Sequence, residues 1–173
     1  TYAFMKPKDP AVKEELERTL ATTHSSVERF DLFTIIVLGE VIVAVVRGVA
    51  GHHHLGWTVG VTAALGLLIG ISLWWLYFDF ISQRHPIQRP MWSTAWINLH
   101  LLTTMGIVMT GSAILNVVEH AEEGMTTAVR WLLVGAIAMA LVCVALLMRT
   151  LRASQEHPQL YGRAMWVSLG SAA

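Results

Sequence analysis

Long apolar stretches alternate with short polar segments along most of this chain. Each of four stretches exceeds the roughly 20 residues that suffice to cross a hydrocarbon core. They cover residues 25–50, 57–80, 92–118 and 127–149. Another apolar stretch opens at Tyr161. The pattern therefore predicts an all-α polytopic membrane bundle with four spanning helices and a truncated fifth helix from residue 161.

The first 23 residues have a different pattern. Val12, Leu16 and Leu20 recur at every fourth position among charged residues, which is typical of a short amphipathic helix. We expect residues 1–23 to form an amphipathic or linker segment and residues 24–173 to form the transmembrane bundle.

Composition supports a membrane protein. Hydrophobic residues make up 54% of the chain and charged residues 14%, which is about half the charged fraction of ordinary soluble domains. The net charge is zero, so no basic field favours nucleic acid. The single cysteine, Cys143, excludes an internal disulfide framework. The expected partner is the lipid bilayer.

Loop charges predict the orientation. The leading segment, the loop near Arg84 and the segment after Arg149 hold nine basic residues, whereas the opposite loops hold Arg47 and Arg130. The nine are Lys6, Lys8, Lys13, Arg18, Arg84, Arg89, Arg149, Arg152 and Arg163. The positive-inside rule makes the first side cytoplasmic. We therefore expect a bacterial inner-membrane protein with a cytoplasmic N-terminal segment.

Glu40 is a carboxylate within the first apolar stretch, where an ionisable group is costly to bury. Arg29 and Arg47 share its helical stripe but lie too far along the helix to pair with it. Glu40 lies roughly 15 Å deep and His100 roughly 12 Å deep, counted from the same side at about 1.5 Å per residue. The sequence predicts that they pair, either as a proton- or cation-handling site or as a polar staple that fixes helix register.

Other charged residues gather at the cytoplasmic edge. Glu28, Arg29 and Asp31 open the first span, and Asp79 closes the second. Arg29 with Asp31 or Asp79 is a candidate ion pair or inner gate. The alternative is structural, because acidic residues suit the first turn of a helix.

Small residues indicate close helix packing. Gly66 and Gly70 form a small-xxx-small pair, which allows a neighbouring backbone to approach. Gly39, beside Glu40, is a third candidate for helix packing.

Catalytic and metal-binding motifs are lacking. The chain has no glycine-rich phosphate loop, no Gly-x-Ser-x-Gly elbow and no His-Glu-x-x-His pair. His52, His53 and His54 are consecutive and point in different directions on regular structure, so a solvated loop is favoured over a metal site. We expect no enzymatic activity, no metal and no cofactor.

Two blocks resemble a known family. The first is VERFDLFTIIVLGE at residues 27–40, and the second is WWLYFD at residues 74–79. Together they resemble the bacterial low temperature requirement protein A family. The resemblance implies an inner-membrane protein, of which this chain is a C-terminal portion or a shortened relative. It adds weight to Glu28, Arg29, Gly39, Glu40 and Asp79.

Two functional hypotheses follow. The first is proton- or ion-coupled transport, with Glu40 as the protonatable site and His100 as its partner. The alternative is a non-catalytic structural or accessory subunit of a larger membrane complex or a homo-oligomer. It would pack through the face of Gly66 and Gly70 and through Met- and Trp-rich surfaces. A variant of the alternative has His100 as an axial ligand of a pigment or haem.

Overall fold

Helices account for the regular structure of the described residues, apart from one isolated bridge between Pro86 and Leu151. The computed structural model describes residue 11 and residues 24–54, 56–87, 90–151 and 158–172. Its helices are α1 His24–Ala50, α2 Trp57–Phe80, α3 Pro90–Glu119, α4 Thr127–Thr150 and α5 Pro158–Ala172. The predicted all-α fold with four long apolar helices is confirmed, and α5 corresponds to the short fifth helix. The predicted amphipathic segment at residues 1–23 lies outside the described residues, apart from Ala11.

Local sequence explains where several helices begin. Pro90 and Pro158 are the first residues of α3 and α5, where the missing proline N–H is harmless and its fixed φ suits the helix. Thr126 caps α4 by accepting a hydrogen bond from the N–H of Val129 at 3.4 Å. Gly124, in the preceding loop, has φ +87°, a conformation that glycine adopts at little cost.

Four helices, α1 to α4, are long and apolar enough to cross a membrane. α5 has 15 residues, fewer than a perpendicular span requires. The helices pack in the spatial order α2, α1, α3, α4, α5, and the most extensive interfaces are those of α3 with α4 and with α1. We call the end at which α1 and α3 begin, and α2 and α4 end, the proximal end.

Glycines set the spacing between several helices. A Cβ added at Gly106 would lie 3.0 Å from the main-chain nitrogen of Ala140, so α3 and α4 approach backbone to backbone. Added Cβ atoms would lie 2.8 Å from Ile114 Cγ2 at Gly66 and 3.0 Å from Val41 Cγ1 at Gly70. The Gly66 and Gly70 face is therefore covered by α1 and α3 within the bundle.

Gly39 differs from these glycines. A Cβ at this position would meet no atom within 4 Å, so Gly39 does not serve packing among the described helices. It instead lines an apolar groove of about 420 Å³ between α1 and α2.

Two apolar clusters form the core. One runs from the middle of the bundle toward the distal end, opposite the proximal end, and includes Val41, Val45, Ile107, Ile114 and Val118. The other fills the proximal end and consists of Val27, Tyr77, Ile81, Trp96, Val144, Leu147, Met148 and Leu151. Tyr77 of this cluster joins Asp31 and His100 in a line of polar side chains that crosses the bundle.

Candidate functional site

Asp31 is the buried acid of α1. It lies on the stripe that faces the bundle, with Val27, Thr34 and Leu38, and its side chain is 8% exposed. Its carboxylate accepts three hydrogen bonds. Tyr77 Oη donates to Oδ1 at 3.0 Å, and Ser82 Oγ and the Gln83 main-chain N–H donate to Oδ2 at 2.9 and 2.8 Å. Neutral donors from α2 and its following loop therefore hold this acid.

The loop after α2 is shaped to present two of those donors. Gln83 has φ 58°, a left-handed conformation that is uncommon for a residue other than glycine. This conformation accompanies the hydrogen bond from the Gln83 N–H to Asp31. The loop is anchored farther on, where the Ile87 N–H donates to the Thr150 carbonyl at 2.8 Å. The end of α4 thus fixes the loop that binds Asp31.

Tyr77 connects Asp31 to His100. The Tyr77 hydroxyl lies 3.0 Å from Nε2 of His100, and the two side chains are 1% and 0% exposed. His100 Nδ1 lies 2.9 Å from the main-chain carbonyl of Trp96. A carbonyl only accepts, so Nδ1 carries a proton, and Nε2 of the neutral ring is an acceptor. One side chain each from α1, α2 and α3 therefore forms a continuous polar chain.

Aromatic rings enclose the histidine. The Trp96 ring centroid lies 4.0 Å from that of His100, and the Phe30 centroid lies 5.1 Å away. Two buried polar atoms in the same region of α3, Trp96 Nε1 and Ser93 Oγ, have no hydrogen-bond partner among the described residues. The apolar rings exclude competing polar groups, which strengthens the hydrogen bonds that His100 makes.

The polar chain is one proton short of full hydrogen bonding. The single proton of the Tyr77 hydroxyl faces two acceptors at 3.0 Å, Asp31 Oδ1 and neutral His100 Nε2. One of the two contacts then lacks a hydrogen. An extra proton on Nε2 completes both contacts, because Nε2–H donates to Tyr77 while Tyr77 donates to Asp31. An extra proton on Asp31 also completes both, with the donations reversed.

A cleft of about 550 Å³ reaches this site from the proximal end. Asp31 forms part of its wall. The other lining residues are Val27, Glu28, Leu32, Ile35, Phe78, Ser82, Gln83 and His85. The lining of the cleft therefore combines polar and apolar side chains, and Asp31 stands between the cleft and the buried Tyr77.

Glu40 lies elsewhere. It is exposed on the outer face of α1, and no described side chain pairs with it. It lies nine positions after Asp31, which at roughly 100° per residue places the two acids on opposite sides of the helix. The prediction that Glu40 contacts His100 is therefore wrong. His100 is joined to the acid of α1 that faces inward, through a tyrosine.

The other predicted site residues surround the proximal end without joining the polar chain. Glu28 lines the cleft, while Arg29 and Asp79 are exposed. The donors to Asp31 do not include Arg29, so the predicted Arg29–Asp31 pair is not present. The main-chain carbonyl of Asp79 accepts a hydrogen bond from Arg84 Nη2 at 2.6 Å.

The histidine loop has a structural contact. His52 Nε2 lies 2.8 Å from the Val118 carbonyl, so it donates to the end of α3, while His53 and His54 are exposed. The described residues include no cluster of three or more candidate metal ligands. Both ring nitrogens of buried His100 are already engaged, which argues against its use as an axial ligand.

Comparison with known families identifies the chain. A family model described as the bacterial low temperature requirement A protein (LtrA) matches residues 6–173. The chain belongs to the bacterial low temperature requirement A family. Membership in the LtrA family and the four long apolar helices indicate an integral membrane protein. Searches of curated proteins and of solved structures returned no match.

Sequence reasoning missed Tyr77, Ser82 and Gln83 in this LtrA family member. Tyr77 lies within the WWLYFD block, and a tyrosine inside a span requires a hydrogen-bond partner when its hydroxyl is buried. That requirement was the available signal for Tyr77. The donors at Ser82 and Gln83 depend on the loop conformation, which no residue pattern specifies.

Proposed function

We propose that this protein carries out proton-coupled transport of an ion or solute across the bacterial inner membrane. Asp31, Tyr77 and His100 are its proton-handling group. The observation that carries the proposal is the pair of 3.0 Å contacts in which one hydroxyl proton serves two acceptors. Such a chain takes up one proton without any rearrangement of heavy atoms.

When a proton moves along the polar chain from His100 to Asp31, each bond that breaks is matched by one that forms. Starting from protonated His100, the Nε2–H bond breaks as a new O–H bond forms on Tyr77. The original Tyr77 O–H bond breaks as one forms on Asp31 Oδ1. The result is a neutral imidazole, an intact phenol and a neutral carboxyl group. The proton charge has then moved from α3 to the wall of the cleft.

The surroundings of Asp31 support a transport function. Ionisable groups within a spanning segment are candidates for proton or ion pathways, and Asp31 borders a cleft that is open at the proximal end. Arg84 and Arg149 lie at this end, which by the positive-inside rule is cytoplasmic. We therefore propose that the cleft is the cytoplasmic entry to the site.

Flux measurements test the proposal. The protein is reconstituted into vesicles that contain a pH-sensitive dye, and internal pH is followed after a potassium diffusion potential is imposed. Wild type is expected to pass protons faster than empty vesicles. Tyr77→Phe, which removes only the hydroxyl, is expected to fall to the rate of empty vesicles, whereas Asp79→Asn retains the wild-type rate. A folded Tyr77→Phe protein with wild-type flux contradicts the proposal.

A second candidate function is a non-catalytic accessory subunit. The observation that favours it is the exposure of Glu40 on an apolar helix face. The Gly66 and Gly70 face is covered within the bundle, so assembly through that face is not available. Purification from native membranes in mild detergent distinguishes the two functions, because a subunit has a stoichiometric partner and passes no protons alone.

A further inference from the structure

Two cavities lie end to end between α1 and α2. The cleft beside Asp31 has a volume of about 550 Å³ at the proximal end, and the apolar groove beside Gly39 has a volume of about 420 Å³ nearer the middle of the span. Ile35 lines both of them. Phe78 of the cleft and Trp74 of the groove are in contact, with ring centroids 5.5 Å apart. The groove therefore continues the cleft along the same pair of helices.

The polarity of the lining changes along this path. The described lining of the cleft carries polar and ionisable side chains at Glu28, Asp31, Ser82, Gln83 and His85. The described lining of the groove is entirely apolar, and it includes two glycines, Gly39 and Gly70. A site that is polar near the membrane surface and apolar at depth matches an amphiphilic molecule, because each part of the molecule then meets a lining of its own polarity.

The length of the path corresponds to one leaflet of a bilayer. On α1, Asp31 lines the cleft and Ile42 lines the far part of the groove. Ile42 lies eleven positions after Asp31, a distance of roughly 16 Å at about 1.5 Å per residue. The hydrocarbon core of a bilayer is about 30 Å thick, so the path covers about half of it. The groove therefore suits one hydrocarbon chain of the length found in membrane lipids.

The polar end of the path favours a cation. Glu28 and Asp31 contribute two carboxyl groups to the cleft, and the residues described in its lining include no lysine or arginine. The Asp31 carboxylate accepts three hydrogen bonds, whereas its two oxygens offer about four acceptor sites. The remaining site is on Oδ1. A primary ammonium group carries three N–H donors and a positive charge, so it complements both acids.

We propose that the cleft and the groove together bind a single-chain alkylammonium compound, with its ammonium group at Asp31 and its tail along Gly39 and Gly70. That this compound is the transported solute rests on the proposed function. The ammonium group binds the ionised carboxylate of Asp31, whereas the extra proton of the polar chain neutralises that carboxylate. Cation and proton therefore occupy the site in turn, which is the requirement for exchanging one for the other.

Binding to the protein in lipid nanodiscs tests the proposal without a measurement of flux. The probe is radiolabelled dodecylammonium, and binding is counted above that of empty nanodiscs. Dodecanoate, which has the same chain length and a negative head, is expected to bind more than about tenfold more weakly, because like charges would meet at Asp31. Butylammonium is expected to lose about tenfold or more, because its short tail leaves the groove unfilled. Dodecylammonium that binds no more tightly than either of the others overturns the proposal, and equal binding of dodecanoate identifies an ordinary acyl-chain groove.

Substitution in the groove tests the position of the tail. A Cβ added at Gly39 meets nothing within 4 Å, so Gly39→Leu fills the groove without displacing a helix. This variant is expected to bind dodecylammonium about tenfold more weakly, because its side chain occupies the space of the tail. Gly135→Leu is the matched control, since Gly135 is equally open but lies on α4, and it is expected to bind like wild type. Wild-type binding by a folded Gly39→Leu protein contradicts the proposal.

Binding and flux separate this inference from the proposed function. If wild type passes protons but does not bind dodecylammonium, the alkylammonium site is wrong and the proton-handling group stands. If wild type binds dodecylammonium with the expected selectivity but passes no protons, the transport function is wrong and the binding site stands.

Discussion

The Tyr77 hydroxyl donates to Oδ1 of Asp31 at 3.0 Å across the interface between α2 and α1. The same oxygen lies 3.0 Å from Nε2 of His100, so one phenol joins three helices. Loss of this hydroxyl therefore has consequences both for stability and for proton movement.

Tyr77→Phe is expected to lower the free energy of unfolding by about 1–3 kcal/mol, because it leaves two buried acceptors without their donor. Thermal unfolding in detergent measures the change. Ser72→Ala is the control, since the Ser72 hydroxyl is exposed and bonds only to the Leu68 carbonyl of its own helix. Equal stability of the two variants would show that the buried hydroxyl contributes nothing.

Asp31→Leu is expected to destabilise the protein strongly. Two donors, Ser82 Oγ and the Gln83 N–H, converge on Oδ2, and an apolar side chain leaves both without an acceptor. Asp31→Asn is expected to be tolerated better, because its amide oxygen can accept from these two donors while its N–H donates to the Tyr77 oxygen, as a protonated Asp31 would. Asp79→Asn, at an exposed position of the same end, should unfold like wild type. A wild-type unfolding midpoint for Asp31→Leu contradicts this account of the site.

Gly106→Ala is expected to cost about 1–3 kcal/mol by overpacking. Its new Cβ would lie 3.0 Å from the main-chain nitrogen of Ala140, and backbone cannot move aside as a flexible side chain does. Gly135→Ala is the matched control, since an added Cβ there meets nothing within 4 Å. Denaturation of both variants in the same detergent checks the prediction, which fails if Gly106→Ala is as stable as Gly135→Ala.

His52→Ala is expected to lower the unfolding free energy by about 1 kcal/mol, since it removes a donor from a carbonyl at the end of α3. The affected contact is the 2.8 Å bond from His52 to Val118. His53→Ala, at the adjacent exposed position, is expected to have no effect. A zinc titration of the same proteins adds a second readout, because a metal site in this loop would make both variants lose bound zinc.

The fold could be predicted almost completely from hydropathy. A segment that crosses lipid must satisfy its backbone hydrogen bonds internally, so each long apolar stretch is expected to form a helix. The predicted boundaries at 57–80 coincide with α2, and those of α4 differ by one residue at its end. Charged or proline residues near the loops ended the apolar stretches and so located the helix ends.

The orientation of α1 about its axis could not be predicted in the same way. Its inner stripe includes Val27, Asp31, Thr34 and Leu38, and its outer stripe includes Phe33, Ile36, Glu40 and Val43. Each stripe is apolar with one acid, so hydropathy does not distinguish the side that faces protein from the side that faces lipid. Depth in the span favours Glu40 as the buried acid, whereas packing against α2 and α3 buries Asp31 instead.

The most direct test of the proton-handling chain is solid-state NMR of bilayer-embedded protein labelled with 13C at aspartate Cγ and 15N in histidine. Spectra are recorded across a pH series, and Asp31→Asn and His100→Gln assign the signals. The account predicts that His100 Nδ1 is always protonated and that one proton is gained on either His100 Nε2 or Asp31 as pH falls. An unprotonated Nδ1, or no protonation of either group at any pH at which the protein stays folded, would contradict it.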